Sequence, residues 1–462
     1  MLTDELKRYA KSGVYPFHMP GHKRQPIGEL PYQLDLTEIP GFDYLHDPQG
    51  CIRDIEHRAE RLYQAERAFL LINGATGGIL AAVRAMTRPR DKVIVARNCH
   101  RSVFHAIELC DLEPVYYLPD PIDGTDIYGG VNPFLLDMLL REHPDAKLVI
   151  LTSPTYEGVV SEIKWIAPIC HRSGVRLLVD EAHGAHFPFS EAFPKPAVQC
   201  GADVAVVSLH KTLPAPTQTA LLLTSDPKAA PELQRQLAVF ESASPSYLLM
   251  SGAEDCLRYV ENHSFKEYLT LLHDFYRRAK SLQRLHLLFD PESGGTPPFD
   301  PGKLVITTYG TDLTGKALAG LLRERYRIET EMESAHYVIA MTSVCDTKEG
   351  FHRLWRALKE IDAAVRCAEP DAAQAILTAL PEKRFDPGEM RRFETETVPL
   401  AQAAGAVSAD YVYAYPPGIP YLVPGEVVSA EMIDRINALR GAGVELLSTR
   451  KTLPEALTVI DW

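Results

Sequence analysis

The chain is 462 residues long, 46% hydrophobic and −13 in formal net charge at pH 7, which favours at least two domains and disfavours a nucleic-acid partner. No apolar run reaches the roughly 18 residues of a membrane-spanning helix, and residues 1–11 read as a short amphipathic helix and not as a signal peptide. The eight cysteines stand singly, without Cys-x-x-Cys spacing, so we expect a reducing, cytoplasmic location and no structural metal site.

Residues 1–50 are predicted to be an irregular segment, with the loops FHMPGHKR (17–24) and IPGFDYLHDPQG (39–50), that lies at a subunit interface. The next feature, FLLINGATGGILAAV (69–83), runs from an apolar strand through small residues into an amphipathic helix. Backbone amides at such a helix N-terminus can close on an anion, most naturally a phosphate. The candidate phosphate ligands here are Ala75, Thr76 and Gly77.

From residue 92 onward, apolar runs of strand length alternate with stretches of helix length. The runs cover residues 92–98, 114–118, 147–154, 175–183, 204–211 and 220–225. Strands that are apolar on both faces, with helical spacers, indicate a mainly parallel sheet covered by helices on both sides. We expect this α/β sheet in a large domain of residues 51–287.

The alternation stops near residue 225, and a long helical stretch is predicted for residues 247–287. The segment PESGGTPPFDPG (291–302) is dense in proline and glycine and is typical of a hinge. Beyond it, two strands and a helix near 349–366 predict a smaller C-terminal α/β domain, residues 288–462.

Polar residues gather where the predicted strands end. The ends carry Arg97, Asn98 and His100; Ser153, Thr155 and Tyr156; Asp180 and His183; and Ser208, His210 and Lys211. Ligands of an open parallel sheet bind at the carboxyl ends of its strands, so we expect these side chains to share one crevice.

Lys211 follows an apolar strand at the mouth of the sheet, and this position requires a chemical reason. A strand-end lysine, a strand-end aspartate and a phosphate cradle together indicate pyridoxal 5'-phosphate. Lys211 would form a Schiff base, Asp180 would hold the ring nitrogen protonated, and His100 could stack on the ring. Additional phosphate donors would be Ser208, His210 and either Thr217 or Gln218. The structural alternative is a buried ion pair between Lys211 and Asp180.

Several motifs, in order, resemble those of one family. They are FHMPGHKR, DLTEIPGFDYLHDPQGCI, RNCHRS, SPTYEG, DEAHGAH, SLHKTLPAPTQTA, SPSYLLM and YPPGIPYLVPGE. Over residues 10–426 the chain resembles the bacterial ornithine, lysine and arginine decarboxylases of the aspartate aminotransferase-like fold (fold type I), and this resemblance implies that the sheet is seven-stranded. It looks most like their short members without an N-terminal wing domain, which are often arginine decarboxylases.

The resemblance implies the same roles for Lys211, Asp180 and His100, and places Ala182 against the opposite face of the ring. Ala75, Thr76, Ser208 and His210 would hold the phosphate. Ala75 departs from the family pattern, because relatives commonly have a hydroxyl residue there, and so one possible phosphate donor is lost.

The implied reaction is α-decarboxylation of a basic amino acid, with L-arginine to agmatine in polyamine biosynthesis as the expected case and lysine or ornithine as alternatives. His183 or Lys211 would protonate the α-carbon. Candidates for contacts with the substrate, including its distal cation, are Thr155, Asp43, Asp47, Glu157 and Glu426. We expect a homodimer or higher homo-oligomer with a shared active site. A pyridoxal phosphate aminotransferase and a non-catalytic regulator of the same fold are the rival functions.

Two motifs point elsewhere and are weaker. DEAH (180–183) and GTDLTGKA (310–317) together suggest an ATPase, but Ala317 lacks the hydroxyl that magnesium requires and the order of the motifs is reversed. A metal site of Asp180, His183 and His186 is disfavoured, because a strand-end turn does not easily converge that spacing.

Overall fold

The structure is a computed structural model, and it describes residues 12–17, 23, 43–292, 297–368, 376–414 and 418–461. The predicted N-terminal helix and most of the FHMPGHKR loop lie outside these residues. The strands are β1 (Tyr15–Phe17), β2 (Arg67–Leu71), β3 (Lys92–Ala96), β4 (Glu113–Tyr117), β5 (Leu148–Thr152), β6 (Arg176–Asp180), β7 (Val204–Ser208), β8 (Ala220–Thr224), β9 (His286–Leu287), β10 (Lys303–Thr307), β11 (Ile328–Thr330), β12 (Met332–Glu333), β13 (Tyr337–Met341), β14 (Thr395–Pro399), β15 (Val412–Ala414), β16 (Pro420–Leu422), β17 (Leu446–Ser448) and β18 (Ala456–Ile460). The α-helices are α1 (Cys51–Tyr63), α2 (Gly74–Met86), α3 (Arg101–Leu109), α4 (Pro133–Glu142), α5 (Ile163–Arg172), α6 (Leu209–Thr212), α7 (Ala230–Phe240), α8 (Tyr247–Asn262), α9 (Lys266–Ala279), α10 (Gly315–Tyr326), α11 (Lys348–Ala364) and α12 (Ala430–Gly441).

The large sheet has seven strands in the order β2–β8–β7–β6–β5–β3–β4. Strands β4, β3, β5, β6 and β7 run parallel to one another, and nearly all their central residues are buried. This confirms the expected mainly parallel sheet. One strand departs from it, because β8 runs antiparallel to both β7 and β2. Residues 209–219 are too few for the crossover that a parallel connection needs, and they contain only the one-turn helix α6.

The carboxyl ends of β5, β6 and β7 meet at one edge of the sheet. Thr152 is the register partner of Asp180, which is in turn paired with Val206. Helix α2 lies close against β2 and β7 at Gly78, where an added Cβ would be 2.6 Å from a methyl of Leu71 and 2.9 Å from one of Val206. The contact therefore requires glycine, and it places α2 directly against β7, whose C-terminal end reaches the site.

The second unit is built on an antiparallel sheet in the order β12–β13–β10–β9. Strand β1 pairs with β11, so the N-terminal segment attaches to this unit. The predicted helical stretch after residue 247 is two helices, α8 and α9, followed by the short strand β9.

The main hydrophobic cluster extends from the large sheet into β10 through Leu304 and Ile306. A separate cluster, from Leu377 to Val459, is formed around the sheets β16–β15–β17 and β14–β18. Among the helices within the described ranges, none is both long and apolar enough to cross a membrane.

Candidate active site

A cavity of about 280 Å³ lies at the carboxyl edge of the large sheet. Most of the strand-end residues predicted from the sequence reach its wall. Its lining comprises Gly74, Ala75, Thr76, Ile79, Asn98, His100, Ser102, Thr152, Tyr156, Asp180, Ala182, His183, Ser208, His210, Lys211, Glu331 and Ile419. We call it the lysine cavity.

Lys211 lies in the one-turn helix α6, directly after β7. Its Nζ is 3.0 Å from Nε2 of His183. Burial lowers the pKa of the Lys211 amine, while the carboxylates of Asp180 and Glu331 raise it. Desolvation thus favours the neutral amine, which is the nucleophilic form of a lysine.

Asp180 ends β6 and is 3% exposed. Its Oδ1 accepts a hydrogen bond of 3.1 Å from the backbone N–H of Ala182. Burial raises the pKa of the Asp180 carboxyl, and the charge of Lys211 lowers it. A cation in the cavity therefore stabilises the ionised carboxylate. The protonated pyridine nitrogen of a bound pyridoxal 5'-phosphate would be such a cation.

Another part of the wall is suited to a phosphate. Gly74, Ala75 and Thr76 form the first turn of α2, and Gly74 has a positive φ of 69°, which favours glycine. Ser208 Oγ is buried here and has no hydrogen-bond partner within the described part of the chain. Thr152 Oγ1 is also on the cavity wall, and it is likewise buried without a hydrogen-bond partner among the described residues. Buried unpaired oxygens are unfavourable, so the wall fits a polar ligand such as pyridoxal 5'-phosphate.

His100 is held in place as the N-cap of α3. Its Nδ1 accepts from the backbone N–H of Ser102 at 3.2 Å. Burial lowers the pKa of His100 to about 3, and the charge of Lys211 acts in the same direction. The ring on the cavity wall is therefore neutral at physiological pH. His210 is also on the wall, and its Nδ1 donates to the carbonyl oxygen of Thr219 at 3.1 Å.

Two of the predicted phosphate ligands do not reach the lysine cavity. Gly77 is one residue beyond its lining and faces Asn73 and Glu241, both 3.2 Å from the position of an added Cβ. Thr217 is exposed, in the turn between α6 and β8. This turn instead holds the N-terminus of α2 through its backbone, because the carbonyl oxygen of Gln218 accepts from the N–H of Gly74 at 2.8 Å.

Two of the predicted anchors for a distal cation are also placed elsewhere in this chain. The Asp43 carboxylate caps α1, accepting from the backbone N–H groups of Gly50 at 2.8 Å and Ile52 at 2.9 Å. These hydrogen bonds lower the pKa of Asp43 although its partial burial opposes them. Asp47 is exposed and accepts from the side-chain amide of Gln49.

Glu426 was also a predicted anchor, and the structure places its carboxylate beside a buried arginine. Its Oε2 is 3.0 Å from Nη2 of Arg97, and both side chains are at most 1% exposed. Oε2 also accepts from the backbone N–H of Val423 at 2.9 Å. Because Arg97 neutralises this carboxylate inside the protein, Glu426 is a structural ion-pair partner.

A smaller cavity of about 70 Å³ adjoins the lysine cavity, and Asn98 and Ile419 line both. Thr155 and Glu157, two predicted substrate residues, lie on its wall. Glu157 Oε1 accepts from the hydroxyl of Tyr337 at 3.0 Å. Of the predicted acidic anchors, Glu157 is thus the one that lines a cavity next to Lys211.

Sequence reasoning missed two charged residues that the second unit contributes. Glu331 lines the lysine cavity and accepts from the hydroxyl of Tyr156. Lys303 begins β10, and its Nζ is 2.6 Å from Nδ1 of His183. No local motif marks Glu331, whereas Lys303 could have been noticed as a cation at the start of an apolar strand.

Comparison with known proteins identifies relatives over nearly the whole chain. Residues 1–293 match the family model for the major domain of Orn/Lys/Arg decarboxylases, and residues 372–446 match the model for their C-terminal domain. An arginine decarboxylase of Bacillus subtilis (strain 168) is 31% identical over 474 residues, covering 98% of this chain and 96% of the relative. An arginine decarboxylase of Halalkalibacterium halodurans is 31% identical, with 98% and 96% of the two chains covered. The solved structure of the Francisella novicida lysine decarboxylase LdcF has a TM-score of 0.77 at 18% identity, covering 90% of this chain and 73% of that one. This structural likeness shows the fold.

Proposed function

The chain belongs to the Orn/Lys/Arg decarboxylase family, and we propose that it is a pyridoxal 5'-phosphate-dependent decarboxylase that converts L-arginine to agmatine and carbon dioxide. The observation that carries this proposal is the placement of Lys211, Asp180 and the first turn of α2 on the wall of one cavity. Arginine is the proposed substrate because the relatives that match at 31% over nearly the whole chain are arginine decarboxylases.

The wall of the lysine cavity carries candidate residues for each part of the cofactor. Thr76 and Ser208 would donate to its phosphate, Asp180 would hold its ring nitrogen protonated, and Lys211 would hold it covalently. When bound, the cofactor would accept the electrons released as the α-carboxylate leaves. The chain's own contribution is to orient the substrate, so that the bond to the carboxylate, and no other bond at the α-carbon, is broken.

His183 and Lys211 are the two proposed sources of the proton that replaces carbon dioxide. His183 is 4% exposed, and burial holds the pKa of its imidazole well below the usual range, with the charges of Lys211 and Lys303 lowering it further. The two side chains are in hydrogen-bond contact, so a proton can pass between them and either can carry it.

We propose Glu331 as the anchor for the distal guanidinium, with Glu157 as a second acidic group farther along the path. Glu331 is on the wall of the same cavity as Lys211. Glu157 is in the adjoining cavity, beyond Asn98. A planar guanidinium can meet carboxylates through several N–H groups at once, whereas the ammonium of lysine or ornithine offers one point charge.

The aminotransferase alternative has less support. Such an enzyme needs an arginine that binds the substrate carboxylate in the ring plane, and the described lining of the lysine cavity contains no arginine. Arg97, in the adjoining cavity, is engaged by Glu426 and by the carbonyl oxygen of Pro420.

We further propose a cytoplasmic homodimer or higher homo-oligomer. Thr217 is exposed at the tip of the turn that follows Lys211, where a second copy of the chain could receive it. Analytical ultracentrifugation of the loaded enzyme tests the assembly, and a monomer at assay concentrations would contradict it.

The test of function is a carbon dioxide release panel. The enzyme, loaded with pyridoxal 5'-phosphate, is given carboxyl-labelled arginine, lysine and ornithine in turn, with Lys211→Ala as the inactive control. We expect arginine to have the highest kcat/KM and Lys211→Ala to release no carbon dioxide while keeping its circular dichroism spectrum. Release from lysine or ornithine alone would overturn the substrate, and transfer of the amino group to a keto acid without release would overturn the reaction.

A further inference from the structure

Lys303 is a buried lysine that lies beside the candidate active site without forming part of the described lining of the lysine cavity. It is the first residue of β10 and is 1% exposed. Its Nζ is 2.6 Å from Nδ1 of His183 and donates to the carbonyl oxygen of Tyr156 at 3.1 Å. Because the lysine cavity is lined by His183, Lys303 can act on that cavity through this imidazole.

The contact is built into the packing of the two units. An added Cβ at Gly158, which has a φ of 100°, would be 2.9 Å from Cβ and Cγ of Lys303, so the lysine stem needs a glycine beside it. Three residues before Lys303, Asp300 Oδ1 lies 3.0 Å from Nε2 of His186. Both histidines of the DEAHGAH loop therefore bind the segment 300–303, and this double contact fixes the position of Lys303.

The His183 ring lies between two lysine amines, and this restricts where protons can be. Nε2 is 3.0 Å from Lys211 Nζ, and Nδ1 is 2.6 Å from Lys303 Nζ. A neutral imidazole has one N–H and one lone pair, while an ammonium group has no lone pair and can only donate. Both contacts can be hydrogen bonds only if one of the two lysines is a neutral amine.

Lys303 is the lysine better placed to keep its proton. Its ammonium has two acceptors, the Tyr156 carbonyl oxygen and Nδ1 of His183. Burial lowers the pKa of Lys303 to about 8, and the carboxylates of Asp300, Glu331 and Glu157 oppose that shift. Protonated Lys303 occupies the lone pair on Nδ1, and the ring proton of His183 must then be on Nε2.

We propose that Lys303 is a positioning residue that fixes His183 as the Nε2–H tautomer, so that the imidazole donates to the Nζ of Lys211 and favours its neutral amine. The inference rests on the proposed function in giving Lys211 a chemical role. It adds that a residue of the second unit, 120 positions away from His183 in the chain, controls the protonation state of the Lys211 amine.

The experiment measures the protonation of Lys211 directly, in the cofactor-free protein and without substrate. The protein is acetylated with a trace of acetic anhydride over a pH series, and mass spectrometry quantifies the acetylated Lys211 peptide. The midpoint of this curve is the pH at which half of the Lys211 amine is deprotonated. Lys303→Met should raise this midpoint by about one pH unit, so that Lys211 is acetylated about tenfold more slowly below it. Lys303→Arg, which retains a donor for Nδ1, should stay near the wild type.

A double-mutant cycle with His183→Phe separates action through the ring from a direct charge effect. The other charged or titratable groups that face Lys211 or His183 stay unchanged in every variant; they are Asp180, Glu331, His100, His210 and Tyr156. In the His183→Phe background, Lys303→Met should move the midpoint by much less than in the otherwise wild-type protein, because only the direct repulsion between the two amines is left to remove. A midpoint shift of the full size there, or no shift in Lys303→Met alone, would overturn the inference.

A second measurement does not depend on the folding of Lys303→Met. Histidine-labelled wild-type protein, with the His183 signal assigned by its loss in His183→Phe, reports the tautomer by nuclear magnetic resonance. An Nε2–H ring supports the inference, and an Nδ1–H ring refutes it. Neither readout uses substrate, so failure of the carbon dioxide panel would leave both interpretable.

Discussion

The buried pair of Arg97 and Glu426 gives a sharp test of the difference between a structural carboxylate and a substrate anchor. Arg97 is held by three kinds of contact: the ion pair of 3.0 Å, a hydrogen bond of 2.6 Å to the Pro420 carbonyl oxygen, and its position 5.1 Å from the centre of the Phe104 ring. Glu426→Gln keeps an acceptor in place but leaves the guanidinium charge uncompensated in a site where both side chains are at most 1% exposed. Removing one partner of a buried pair costs about 3–5 kcal/mol, so we expect the free energy of unfolding to fall by roughly that amount.

The assay is urea unfolding followed by circular dichroism, together with kcat and KM for arginine measured where each variant is folded. Glu382→Gln is the matched control, because Glu382 pairs with Arg384 at 3.1 Å on the surface, with 65% and 42% of the side chains exposed. Its loss should change the free energy of unfolding by about 0–1 kcal/mol. If Glu426→Gln unfolded at the wild-type urea concentration but had a KM for arginine raised tenfold or more, Glu426 would be a substrate anchor and the structural assignment would be wrong.

Three further variants test the lysine cavity. Ser208→Ala removes a proposed donor to the phosphate, and loss of a hydrogen bond to a charged group, about 1.5–3 kcal/mol, should weaken cofactor binding roughly ten- to hundredfold in equilibrium dialysis; unchanged affinity would exclude the contact. Asp180→Asn should lower kcat by roughly two orders of magnitude or more while the cofactor still binds, and a wild-type rate would show that the ring nitrogen needs no carboxylate. Glu331→Gln should raise KM for arginine about tenfold or more with the fold intact, whereas Glu333→Gln, on the adjoining cavity, is the comparison variant; equal effects of the two would remove Glu331 as the anchor.

Much of the large sheet could be predicted from local pattern. Runs such as 92–98 and 204–211 are apolar on both faces, and a strand of that kind is stable only when both faces are covered. The polar residues that follow these runs lie at the strand ends, and a parallel arrangement brings those ends to one edge. Lys211, Asp180 and His100 were therefore placed near one another from spacing alone.

The antiparallel direction of β8 shows where the pattern was insufficient. The sequence 220–225 has the same apolar character as the parallel strands. Its direction depends on the length of the connection from β7, which holds one helical turn and is too short to cross the sheet. The composition of a strand does not determine its direction in the sheet, whereas the length of the segment that connects it to the preceding strand does.

The sequence by itself determined the type of fold, the order of the motifs and the chemical character of the strand ends. It could do so because the spacing of apolar residues and the residues that form turns are local properties of the chain. Only the tertiary structure decided which charges meet. Glu426 pairs with Arg97, which is 329 positions away in the chain, and Lys303 contacts His183, which is 120 positions away. The carboxylate of Asp43 caps a helix. Whether a carboxylate is a cap, an ion-pair partner or part of a cavity wall depends on the groups that packing places within hydrogen-bond distance of it, and residues far apart in the chain contribute those groups.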